Sequence, residues 1–204
     1  MYPLTVILLA VAAKFVSCRP YGASTVSCAN MRPEHINPFD STYSKKQLVQ
    51  SPYTLAATWD IPMKMVRVSV SGRRIQGFLI QGRNEISGPA IGSFVNITEN
   101  PNATYQNCEI YPGFGEHSSV THRNREYQEY LEFYWMPPAN FSKKDNITFF
   151  ATLAENKNIF WVFQTSNTLP LNFEYFSRPT LLYHNTDPTE RKGPNKASVA
   201  VLSQ

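Results

Sequence analysis

The sequence predicts an all-β protein, an antiparallel β-sandwich of the immunoglobulin or fibronectin type III kind. Between Tyr53 and Leu169 apolar residues alternate repeatedly with polar ones at period two, the mark of strands with one buried face. Turn signals punctuate these runs at short intervals, and no window carries the apolar stripe of an amphipathic helix. Composition agrees: aromatic residues reach 13% while charged residues are held to 17%, which supplies core material without helix-surface charge. A closed barrel is the alternative architecture.

At 204 residues the chain suits one well-filled core. It opens with an apolar run, Leu4 to Ala13, of signal-peptide length and well short of a bilayer span. Residues 1–18 are therefore expected to be a signal peptide cut before Arg19, residues 19–177 the folded domain, and 178–204, rich in Pro, Asn and Lys, a disordered tail. The alternative for "FVSC" is a lipoprotein box with Cys18 lipidated. Against it stand four N-x-[ST] acceptors, at Asn96, Asn102, Asn140 and Asn146, which are more natural in a secreted eukaryotic glycoprotein.

If Cys18 leaves with the signal, Cys28 and Cys108 remain, and an oxidising compartment pairs them. Closing a loop of about 80 residues contributes roughly 4 to 5 kcal/mol in the chain-entropy model.

The strands follow in order. Val66, Val68 and Val70 face one way, Arg67, Ser69 and Ser71 the other. Leu131, Phe133 and Trp135 repeat the pattern until Pro137-Pro138 ends it; Ile147, Phe149, Ala151 and Leu153 follow, then Ile159 to Thr165. Turns are expected at Ser71-Gly72, Gly82 to Asn84, Ser87-Gly88-Pro89, Asn100-Pro101-Asn102 and Pro112-Gly113.

Hydrolase, metalloprotease, phosphate-loop and dinucleotide signatures are absent, as is a calcium loop, so neither catalysis nor a cofactor is expected. Glu126, Glu129 and Glu132 read as a solvated face rather than paired acid and base. His35 and His122 follow Cys28 and Cys108, so a disulfide could bring them together; hydrogen bonding to backbone or to each other at a sheet end is favoured over a metal site, which wants a third ligand.

The net charge of +4 falls to about +3 without Lys14, enough to favour anionic partners but not to demand nucleic acid. No apolar run beyond the signal reaches the 18 residues of a membrane span. Arg73, Arg74, Arg83, Arg123 and Arg125, interleaved with Tyr127, Tyr130 and Tyr134, form the candidate ligand-binding set, with Tyr127 the tyrosine chosen. Arginines would hold phosphate or carboxylate, and tyrosine rings would stack on sugars or lipid.

The order of the fragments adds a family resemblance. "YGASTVSCANMRPEH" (Tyr21 to His35), "SPYTL" (Ser51 to Leu55), "VRVSVSGRRIQGFLIQGR" (Val66 to Arg83), "IGSF" (Ile91 to Phe94), Cys108, "VTH" (Val120 to His122), "LEFYWMPP" (Leu131 to Pro138) and "ITFFATLAENKNIFWVFQTSNTL" (Ile147 to Leu169) resemble the reeler domain in sequence and order. The resemblance covers about residues 19 to 172 and implies an extracellular antiparallel sandwich with a Cys28–Cys108 bridge. Such domains occur in reelin and spondin-type matrix proteins, in ferric-chelate reductase-like membrane proteins, and alone in small secreted insect defence proteins. The chain looks like the last group, since the extra cysteines of spondin-like members and the haem and membrane domains of the reductases are missing. That implies a secreted, non-catalytic immune factor whose partners are microbial envelope glycolipids or glycans such as lipopolysaccharide, lipoteichoic acid or β-glucan. The rival expectation is a matrix or cell-adhesion module with a protein partner.

Overall fold

The structure, a computed structural model, describes residues 22–36, 41–142 and 145–171. The expected signal peptide and C-terminal tail lie outside the described residues. One helical turn, α1 (Ser27–Asn30), precedes ten strands: β1 (Thr54–Asp60), β2 (Met65–Ile75), β3 (Gly77–Arg83), β4 (Ser93–Val95), β5 (Ala103–Tyr105), β6 (Ser119–His122), β7 (Gln128–Met136), β8 (Asn146–Asn156), β9 (Ile159–Thr165) and β10 (Leu169–Pro170). A single 3₁₀ turn, Ile97–Glu99, separates β4 from β5. Among the described residues no helix is long and apolar enough to cross a membrane.

The strands form two antiparallel sheets. One has the order β1-β2-β7-β4; the other runs β10-β8-β3-β6-β5, with β9 also paired to β8. The register places Val66, Val68 and Val70 opposite Trp135, Phe133 and Leu131, so all six side chains share one face. They meet Phe78, Ile80, Ile147, Phe149, Ala151 and Leu153 from the other sheet in one continuous core. The sandwich is therefore assembled by period-two alternation, with each inner face supplied by every second residue.

Two details depart from the sequence expectations. Ser71-Gly72 is not a turn: β2 runs straight through it, and the register to β7 shifts between Ser71 and Ile75. Gly72 takes φ +132°, and a Cβ there would stand 2.3 Å from the Pro52 carbonyl oxygen, so the pair reads as a bulge under a crossing chain. Short-range turn chemistry cannot distinguish a bulge from a reversal, because both ask for a residue free of Cβ.

The second departure concerns the larger sheet, whose β3 and β8 bury both faces. Beyond the alternating core residues, Leu79, Phe150, Ala154, Phe160 and Val162 form an outer cluster with Met31. The cover is the segment carrying α1, fixed by the Cys28–Cys108 disulfide across a Cα–Cα distance of 5.5 Å. Met31 closes α1 in the left-handed region, and its carbonyl accepts a hydrogen bond from the Thr152 hydroxyl.

Both constraints predict stability. Cys28→Ala removes a link spanning 80 residues and should cost about 4 kcal/mol or more in denaturant unfolding. At Gly92, φ is +65° and a Cβ would meet the Trp135 ring at 2.2 Å. Gly92→Ala should therefore reduce the unfolding free energy by an amount typical of core overpacking, about 1 to 3 kcal/mol, read as a lower unfolding midpoint.

Candidate functional site

The bulge in β2 positions the basic face. By displacing the ladder at Ser71 it turns Arg73 and Arg74 both into solvent, and Ile75 resumes pairing opposite Gln128. The Arg74 guanidinium lies 4.8 Å from the Tyr127 ring centre, a cation–π contact that holds the side chain against the β6–β7 connection. The Tyr53 hydroxyl donates to the Arg74 carbonyl at 2.9 Å, fixing the bulge backbone from below. Burial pushes that phenol up to about 12, with Glu155 adding to the shift and Arg73 opposing it, so it stays a donor at any physiological pH.

Arg125 joins this face through its backbone, whose carbonyl accepts from Gln76 Nε2 at 3.2 Å, while Arg123 is anchored by its amide donating to the Asn102 carbonyl at 2.7 Å. Both residues are exposed. Arg73 keeps 69% of its side chain in water and approaches Glu155 at 3.7 Å, a loose surface pair that a competing anion can displace. Arg74 and Tyr127 thus meet, with Arg73 next along the strand and Arg125 joined through its backbone, while Arg123 is held instead at the Asn102 turn. Gln76 and Glu155 were not anticipated. Glu155 follows Ala154, which lies opposite Gly77, a register that periodicity alone does not supply.

Arg83 is a correction. It sits six residues along β3 from Gly77, about 20 Å away at strand rise, and is 1% exposed. Its Nη2 donates to the Cys28 carbonyl at 2.8 Å and the Ala29 carbonyl at 3.2 Å, Nη1 to the Ile86 carbonyl at 2.9 Å, and Nε to Gln81 Oε1 at 3.0 Å. Gln81 Nε2 in turn donates to the Ser119 hydroxyl at 2.9 Å and lies 3.5 Å from Cys108 Sγ. Burial brings the guanidinium down to about 10, still charged at neutral pH. Arg83 therefore caps the α1 carbonyls and seats the disulfide instead of binding a ligand. Sequence placed it at a turn because β3 ends there; nothing local reveals that a distant segment covers it.

His35 and His122 each bond to backbone. His35 Nδ1 bonds the Lys157 carbonyl at 2.8 Å, and His122 Nδ1 lies 3.2 Å from both backbone polar atoms of Phe78. Among the described residues no three or more His, Cys, Asp or Glu side chains gather as a metal-binding group. Desolvation lowers the His122 pKa, the Phe78 carbonyl partly opposes this, and the charges of His35 and Arg125 lower it further. Glu126 and Glu129 are exposed, and Glu132 accepts from the Tyr130 hydroxyl at 2.6 Å. Of the sequon asparagines, Asn96, Asn140 and Asn146 are exposed, while Asn102 is half-buried and its Oδ1 accepts from Asn124 Nδ2 at 2.8 Å.

A family model for the reeler domain matches residues 26–174, a span that takes in both sheets and the disulfide. The chain belongs to the reeler family. It is 30% identical over 163 residues to human ferric-chelate reductase 1, covering 79% of this chain and 25% of that protein, and 29% identical over 163 residues to the bovine protein of the same name, with the same coverage. The reeler chain thus spans about a quarter of the length of these curated relatives. The solved Reelin-N domain of F-spondin aligns with 62% of this chain and 91% of its own, at a TM-score of 0.46 and 16% identity.

Two measurements check these assignments. Arg83→Ala leaves the Ala29 and Ile86 carbonyls and Gln81 Oε1 without their donor, and the Cys28 carbonyl with Gln81 Nε2 alone, and should destabilise the reeler domain by about 3 kcal/mol. For His122 the neutral ring is favoured in the fold, so the unfolded chain takes up a proton first. Stability should therefore fall as pH drops below the unfolded histidine value of about 6.5, and His122→Gln should flatten that part of the curve.

Proposed function

We propose that this reeler protein is a secreted, non-catalytic factor of innate immunity that binds anionic glycolipids or glycans of microbial envelopes through the face built on the β2 bulge. The observation that carries the reading is Arg74 stacked on Tyr127 beside the exposed Arg73, two cations and an aromatic ring presented together at the bulged end of β2. A guanidinium offers paired donors to phosphate or carboxylate, and the ring offers a surface to a sugar. The disulfide and the exposed sequon asparagines support an extracellular destination.

The curated relatives favour a second reading, in which this domain accompanies a ferric-chelate reductase. Ferric reduction by the purified chain above a buffer control would support that reading against the first.

The test of the first is a binding screen of the secreted protein against lipopolysaccharide, lipoteichoic acid, β-glucan and heparin, with a control protein of equal charge. Binding to an envelope component above the control is expected, weakening with salt as exposed charges are screened over about 8 Å. The double variant Arg73→Ala, Arg74→Ala should lose about tenfold in affinity, two exposed charge contacts at roughly 0.7 kcal/mol each. Secretion should be unchanged, and equal binding by variant and parent removes the face from the reading.

A further inference from the structure

A second surface is formed where the N-terminal segment leaves α1. The chain returns along the outer edge of β9 as a strap: the Ser44 amide donates to the His35 carbonyl at 2.8 Å, Ile36 pairs with Tyr43, and the Gln47 amide donates to the Phe160 carbonyl at 2.9 Å. The Trp161 indole fastens its far end by donating to the Val49 carbonyl at 3.0 Å. Between strap and N-terminal segment lies a groove of about 520 Å³, within the roughly 300 to 1,000 Å³ range of small-molecule sites.

The groove is amphipathic. Its floor is the packed edge of Phe160 and Val162 of β9, 2% and 9% exposed, so its accessible apolar surface comes from Tyr43 and Leu48 at its sides. Leu48 is 89% exposed, an apolar side chain held in water by a strap whose backbone is tied down on both sides of it. At the rim stand Arg32, Lys45 and Lys46 and, among the described lining residues, a single carboxylate, Glu34. Among the described residues none of the three cations has an ion-pair partner. An apolar trough with an unneutralised cationic rim complements a molecule with one greasy tail and one negative head.

We propose that this groove binds a single-chain anionic amphiphile, its acyl tail along Tyr43 and Leu48 and its carboxylate or phosphate head among Arg32, Lys45 and Lys46. The site is separate from the face on the β2 bulge and does not depend on it. A long-chain carboxylate and a monoacyl phosphate share this chemistry, and competition tells them apart.

The experiment titrates the full secreted chain with dansyl-undecanoate, following dansyl fluorescence, and then displaces the probe with myristate, lysophosphatidate or neutral tetradecanol. Saturable binding of about one probe per chain is expected, displaced by whichever anionic lipid is the better ligand and poorly by tetradecanol. Leu48→Asp, at a side chain 89% exposed and so harmless to folding, should weaken binding at least tenfold, as should Lys45→Glu with Lys46→Glu; Arg73→Ala with Arg74→Ala should leave it unchanged. Thermal unfolding of each variant confirms that the fold is kept. Failure to bind the probe, displacement by tetradecanol as strong as by myristate, or a self-association that Leu48→Asp abolishes without any probe binding would each overturn the proposal, the last in favour of a second copy as occupant.

Discussion

The architecture depends on how the larger sheet is closed on its outside. A two-sheet sandwich needs only one buried face per sheet, yet β3 and β8 carry apolar or hydrogen-bonding side chains on both. What makes this tolerable is the seal of α1 and its flanks, pinned by the Cys28–Cys108 bridge and by Arg83 beneath it. The arginine is charged and buried without a carboxylate among its hydrogen-bond partners; backbone carbonyls and Gln81 answer its donors instead. A lysine in its place would offer a point charge where the site presents acceptors in several directions.

Much of this was legible in the sequence, for a physical reason. Strands with one dry face write a period of two into the chain, so the Val66 to Val70 and Leu131 to Trp135 runs declared both their type and the side they bury. Ile159 to Thr165 was recovered as a strand to the residue. What periodicity does not encode is long-range cover. Phe150 and Thr152 read as the outer, wet face of β8 until Met31 lies over them, and Arg83 read as a surface charge for the same reason. The candidate face shows the same limit: Arg73, Arg74, Arg125 and Tyr127 were named from composition and position, whereas Gln76 and Glu155 entered it through register.

The two candidate surfaces differ in how they are made. The face on β2 arises from a defect in a ladder, where one glycine lets the strand swell and aim two arginines outward. The groove arises from a strap laid beside an edge strand, and its hydrogen bonds to β9 also shield that edge from pairing with another chain. Neither disturbs the core, so both can vary while the sandwich stays fixed.

The seal has a temporal side. Cys28 is made 80 residues before Cys108, and the outer surface of β8 and β9 that it helps to cover is made later still. During synthesis the lid exists before the box. Until oxidation joins the two cysteines, a strip containing Leu79, Phe150 and Phe160 has no fixed cover, and an apolar sheet face in that condition invites association with other nascent chains. Closure of this fold thus depends on when the one bond forms as well as on what it contributes to stability.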